Sequence, residues 1–77
     1  MHGRLAEALL YFSDSIFHSD EFEMVLSRQE LGEMTNMAKE SVVRIIGEFE
    51  NENIIHATPR SVRILNREKL LVISEKG

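Results

Sequence analysis

The chain predicts a small α+β domain, mainly helical with one β-hairpin, and three observations carry the prediction. Two short helical patterns flank a very tight turn between residues 26 and 46, which read Leu-Ser-Arg-Gln-Glu-Leu-Gly-Glu-Met-Thr-Asn-Met-Ala-Lys-Glu-Ser-Val-Val-Arg-Ile-Ile. Two β-prone runs follow, over 54–57 and 61–65, separated by Thr58, Pro59 and Arg60. An amphipathic stretch from Gly3 precedes both features. Two helices about a tight turn, closed by a hairpin, make a winged helix-turn-helix. The helix-turn-helix is expected over about 28–52 and the wing over about 54–65, within a single domain spanning 1–77.

From Gly3 the apolar residues Leu5, Ala8, Leu9, Phe12 and Ile16 recur at helical spacing, which predicts a first helix to about Phe17. The acidic stretch after it is expected to be loop. Ser27 and Glu30 have the spacing of a capping box, in which each side chain satisfies an unpaired backbone N–H of a new helix, here running from Arg28 to about Met34. Asn36 suits a left-handed turn residue, and Gly32 lets the next helix approach closely. That third helix should run from about Lys39 to Glu52, because Val42, Ile45, Ile46 and Phe49 hold one helical phase. Gly47 weakens it without ending it.

In the hairpin, Val62 and Ile64 alternate inward while Ser61 and Arg63 point outward, so Arg60 and Arg63 project from the tip and exposed face. Asn66 can cap a last helix in which Leu70, Leu71 and Ile73 close the bottom of the core. Met24, Met34 and Met37 are expected to serve core or turn packing. No internal repeat or low-complexity segment is present.

Seventy-seven residues support one modest core. With no cysteine, and with His2, His18 and His56 too dispersed for zinc-finger spacing, neither a disulfide nor a metal is expected to hold the fold. The lack of cysteine fits a cytoplasmic location. No apolar run is long enough to span a bilayer, and the start, Met-His-Gly-Arg-Leu-Ala-Glu, lacks the apolar block of a signal peptide, so no membrane association is expected.

The net charge of −4 is unevenly distributed. Residues 1–25 carry Arg4 against Glu7, Asp14, Asp20, Glu21 and Glu23, and residues 48–53 add Glu48, Glu50 and Glu52. Residues 26–47 balance Arg28, Lys39 and Arg44 against Glu30, Glu33 and Glu40, whereas residues 54–77 set Arg60, Arg63, Arg67, Lys69 and Lys76 against Glu68 and Glu75. Such polarity leaves one face able to meet phosphate, with weak non-specific affinity.

Lys39, Glu40, Val43 and Arg44 would point outward together from the third helix, a row of groups able to enter a DNA major groove. Arg44 is expected to read a base. Glu40 facing a polyanion makes sense if it accepts from a cytosine amino group or orients Arg44 one turn away. No nucleophile, base and orienting group recur together, and no phosphate-cradling glycine loop occurs, so an enzyme is not expected. A second class is compatible with the sequence: a winged-helix protein–protein module, which the acidic first third favours.

The stretch 26–55, together with Gly3-Arg4-Leu5-Ala6, resembles the C-terminal DNA-binding domain of CRP/FNR-type bacterial transcription regulators. The resemblance rests on Ser-Arg-Gln-Glu-Leu-Gly, Lys-Glu-Ser-Val-Val-Arg and Glu-Asn-Glu-Asn-Ile-Ile, and continues into the hairpin. It implies that Glu40 and Arg44 read bases, that Lys39 adds a major-groove contact, and that Ser27, Arg28, Gln29 and Ser41 engage phosphates. Arg60 and Arg63 are expected to touch phosphate from the wing. Ala38 departs from the family's usual capping serine, and Val43 stands where glycine or serine is common; a valine there can touch a thymine methyl group. The resemblance further implies a double-stranded DNA partner and a homodimeric parent whose sensor domain and dimerisation helix are absent from these residues. No cofactor or effector is assigned to this segment.

Overall fold

In chain order the protein forms α1 (His2–Tyr11), a π-helical segment (Phe12–Phe17), β1 (Glu21–Glu23), α2 (Arg28–Thr35), α3 (Lys39–Asn51), β2 (Ile55–Ala57), β3 (Ser61–Ile64) and α4 (Arg67–Lys76). These elements come from a computed structural model whose described residues are 2–24 and 26–76. Winged helix-turn-helix architecture is therefore present, with a third strand added to the wing.

α1 buries Leu5, Ala6, Ala8, Leu9 and Leu10. Its predicted phase holds to Phe12 and then breaks, because the following turn winds as a π-helix and each residue falls short of its α-helical position. Ile16, expected in the core, is 48 % exposed. Phe17 turns inward in its place and stacks on Phe22, with ring centroids 5.3 Å apart. His18 ends the segment in a left-handed conformation, φ 54°, and the buried Ser13 hydroxyl donates to the Ser19 carbonyl at 2.7 Å.

The acidic stretch expected to be loop contains β1. Glu21, Phe22 and Glu23 pair antiparallel with Arg63, Val62 and Ser61, so β3 is the central strand in the order β1-β3-β2. One apolar side chain between two exposed glutamates is enough, because Phe22 is 4 % exposed and packs into the core beside Phe12 and Phe17. β2 pairs with β3 as the sequence predicts, and Val62 and Ile64 point inward.

The core gathers Leu5 and Leu9 of α1, Leu31 of α2, the stripe Val42, Ile45, Ile46 and Phe49 of α3, Ile54 and Ile55 before and in β2, Val62 of β3, and Leu70 of α4. α4 begins after Asn66, whose Oδ1 accepts the Lys69 N–H at 3.1 Å. Leu70 is fully buried and Ile73 packs against the core, but Leu71 is 43 % exposed because only one face of α4 meets the rest of the domain. Met34 is likewise 49 % exposed, whereas Met37 is buried and Met24 half-buried.

A polar clamp fixes α4 at its start. Arg67 donates to Asp14 Oδ1 at 2.8 Å, to Ser13 Oγ at 2.5 Å and to Asp20 Oδ1, joining the π-helical segment, the approach to β1 and α4. The hydrogen bond to Asp20, with Asp14 adding to it, raises the Arg67 pKa above arginine's usual value despite desolvation. No helix among the described residues is long and apolar enough to cross a membrane.

Candidate nucleic-acid interface

The interface is built on the turn between α2 and α3. Ser27 sits at the N-cap of α2, where its Oγ accepts the Glu30 N–H at 3.1 Å and Glu30 Oε1 accepts the Ser27 N–H at 2.9 Å, completing the predicted capping box. Asn36 closes α2 in a left-handed conformation, φ 59°. The chain doubles back at once: Met37 N–H donates to the Gly32 carbonyl at 2.7 Å, and a Cβ on Gly32 would meet the Met37 oxygen at 2.5 Å. Only glycine lets the two helices cross this closely.

α3 then divides into two faces. Val42, Ile45, Ile46 and Phe49 are buried, and on the other side Lys39, Glu40, Val43 and Arg44 are exposed. No ion pair joins Glu40 to Arg44, and neither residue nor Lys39 has a side-chain partner among the described residues, so three charged groups stand free beside an exposed valine. Ser41 is half-buried on the flank. Ala38 occupies the N-cap of α3 with no side chain to bond the first turn, as its departure from serine implies.

Three of the residues expected at phosphates share one groove. Ser27, Arg28 and Gln29 line it with Lys39 of α3 and Thr58 and Pro59 of the wing tip. Arg28 does more than the sequence indicates: its Nη2 donates to the Thr58 carbonyl at 3.2 Å, tying the start of α2 to the wing. Glu50 ties the end of α3 to the same hairpin, its Oε2 accepting the Ala57 N–H at 3.3 Å.

Neither Glu50 nor Thr58 was a site candidate by sequence. Thr58 Oγ1 accepts from the N–H groups of Arg60 and Ser61 at 3.3 and 3.0 Å, so the threonine shapes the tip; the run Thr-Pro-Arg-Ser carries that signal as a Ser/Thr-type turn.

Arg60 and Arg63 are both exposed, apart from the groove. Arg60 lies at the tip, where its carbonyl accepts the Met24 N–H at 2.7 Å. Arg63 lies across from Glu21 and pairs with it at 3.3 Å, with both side chains more than half exposed. A pair so open to water holds its partners loosely. Arg4, in the Gly-Arg-Leu-Ala motif, reaches the Thr35 carbonyl at 3.4 Å and so contacts the end of α2.

The histidines remain apart, with His2 Nε2 at 2.8 Å from Glu48 Oε1 and His56 exposed on β2. No group of three or more His, Cys, Asp or Glu able to hold a metal occurs among the described residues.

Comparison with known proteins places this geometry. The family model described as the Crp-like helix-turn-helix domain matches residues 3–73. The cAMP-activated global transcriptional regulator CRP of Haemophilus influenzae is 33 % identical over 63 residues, which are 78 % of this chain and 28 % of that protein. Its counterpart in Salmonella typhimurium is 32 % identical over 63 residues, covering 78 % of this chain and 30 % of that protein. The chain thus spans less than a third of the length of these curated relatives. Among solved structures, the Thermus thermophilus catabolite activator protein superposes with a TM-score of 0.84 at 21 % identity over 97 % of this chain and 34 % of that one. The CO-dependent transcription factor CooA of Carboxydothermus hydrogenoformans gives 0.83 at 20 % identity over 95 % and 36 %. These two likenesses are of fold. With the matched motifs falling on the capping box, the turn and the exposed face of α3, the chain belongs to the CRP/FNR family of transcription regulators through its Crp-like helix-turn-helix domain.

Proposed function

We propose that this domain is the sequence-specific DNA-binding module of a bacterial transcription regulator, with α3 as the recognition helix in the major groove. The observation that carries the reading is the free, outward set Lys39, Glu40, Val43 and Arg44, opposite a fully buried apolar stripe. Arg44 donates in bidentate fashion to a guanine edge, Glu40 accepts from a cytosine amino group, Lys39 adds a major-groove contact and Val43 meets a thymine methyl group. Ser27, Arg28, Gln29 and Ser41 hold the phosphates beside the groove, and Arg60 and Arg63 extend phosphate contact from the wing.

The parent acts as a two-fold dimer on a palindromic operator. Half-sites would then lie one DNA turn, roughly 34 Å, apart. The domain's extents of 25 × 25 × 22 Å allow two copies side by side at that spacing. A cytoplasmic location follows from this function, and no effector is assigned to these residues.

Selection from randomised duplex DNA at low salt, with wild type beside Arg44→Ala, tests the proposal. Enrichment of a half-site by wild type that is lost in the variant supports base reading. A folded wild-type domain that enriches nothing favours the other reading, in which the acidic surface and the same α3 face meet a protein.

A further inference from the structure

Helix α3 carries a glycine that the folded domain does not require. Gly47 lies in the helix interior, eight residues after Lys39 and four before Asn51, where glycine is among the poorest helix formers. A glycine in such a place is ordinarily explained by a positive φ or by a neighbour too close for a Cβ. Gly32 has the second reason, with the Met37 carbonyl in the way. Gly47 has neither, since its φ is outside the positive range and an added Cβ would meet nothing within 4 Å. Among the described residues, no steric contact requires a glycine at this position.

Its position says what approaches. Gly47 follows Val43 by four residues and Arg44 by three, so by helical spacing it lies on their side of α3 and not in the buried stripe, and it is itself half-buried. Along the helix axis it stands about 6 Å beyond Val43 and about 10 Å beyond Glu40, at ~1.5 Å per residue. A B-DNA major groove is roughly 8.5 Å deep and 12 Å wide, so a helix with Glu40 at the base edges reaches the groove's rim near Gly47.

The acids that follow are engaged elsewhere. Glu48 lies 2.8 Å from His2, Glu50 accepts from Ala57 N–H at 3.3 Å, and Glu52 pairs with Lys69 at 3.0 Å. The acidic run at the end of α3 is thereby drawn onto the protein's own polar groups at the point where a polyanion would pass.

Resting on the reading of α3 as the recognition helix, we propose that Gly47 is a clearance position, at which the bare backbone of α3 packs against the sugar-phosphate wall of the major groove. A side chain there strengthens the free helix and holds the DNA away. Stability and affinity then move in opposite directions, which a purely structural residue would not produce.

The test uses the full chain with Gly47→Ala and Gly47→Leu, measuring Tm and the Kd for the selected operator and its single-base variants. Gly47→Ala should raise Tm by roughly 4–8 °C and weaken operator binding by about tenfold. Gly47→Leu should weaken it further, and both should keep the wild-type ranking of base variants. A raised Tm with unchanged Kd overturns the clearance role while leaving operator reading intact. A lowered Tm overturns it by revealing an internal contact, and a changed base ranking overturns it by making the position a base reader. If folded wild type selects no operator, the recognition-helix reading fails and the clearance role fails with it.

Discussion

The carbonyl oxygen of Met37 lies 2.5 Å from the place a Cβ on Gly32 would occupy. The same two residues share the hydrogen bond from Met37 N–H to Gly32 O, so α2 and α3 are pressed together at the turn and their crossing depends on a missing side chain. Backbone, not a flexible side chain, is what a substitution would meet. Gly32→Ala should therefore destabilise the domain by about 1–3 kcal/mol, read as a lower urea midpoint. An unchanged midpoint would mean that the turn relaxes freely.

Ala38 offers the opposite experiment. It holds the extended N-cap conformation, φ −69° and ψ 149°, with no side-chain oxygen for the first turn of α3. Ala38→Ser should stabilise the domain by about 1 kcal/mol through the restored cap. Thermal unfolding would register this as a higher Tm, and a fall would show that the hydroxyl cannot reach the orphan N–H groups.

The Arg67 clamp should matter for stability and not for base choice. Its guanidinium bonds Asp14, Asp20 and Ser13 Oγ, none of which belongs to α3. Because the side chain is 34 % exposed, solvent screening moderates the loss, and Arg67→Ala should cost about 1–3 kcal/mol. Denaturant unfolding checks the cost, while the operator preference of the folded variant should match wild type.

The wing arginine makes a distinct prediction. Arg63 is loosely paired with Glu21 and free to exchange that carboxylate for a phosphate. Arg63→Ala should weaken binding to all sequences alike and lower the slope of log K against log salt by about 1. If the slope does not move, Arg63 makes no phosphate contact.

Local chemistry made most of the fold legible. Ser27 with Glu30, Gly32, Asn36 and the Thr58-Pro59-Arg60 turn each act within a few residues, and each stands where its chemistry requires. The stripe on α3 was legible because four apolar residues hold one phase over two turns. What sequence missed depends on partners distant in the chain or on a change of winding. β1 is a strand because Phe22 meets Val62, forty residues on, and three residues give no periodicity to read. The π-helical segment moved Ile16 out and Phe17 in, and Leu71 and Met34 are exposed because no element covers them. At the site, the free row on α3 follows from helical spacing, whereas the tie from Arg28 to Thr58 required the wing to be folded against α2.

Base reading by α3 is decided by the Kd of wild type and Arg44→Ala on the selected operator and on a scrambled duplex at one salt concentration. If Arg44 reads a base, the variant loses about 1–3 kcal/mol on the operator, with little change on the scrambled sequence. Equal losses on both duplexes would make Arg44 a phosphate contact and contradict base reading.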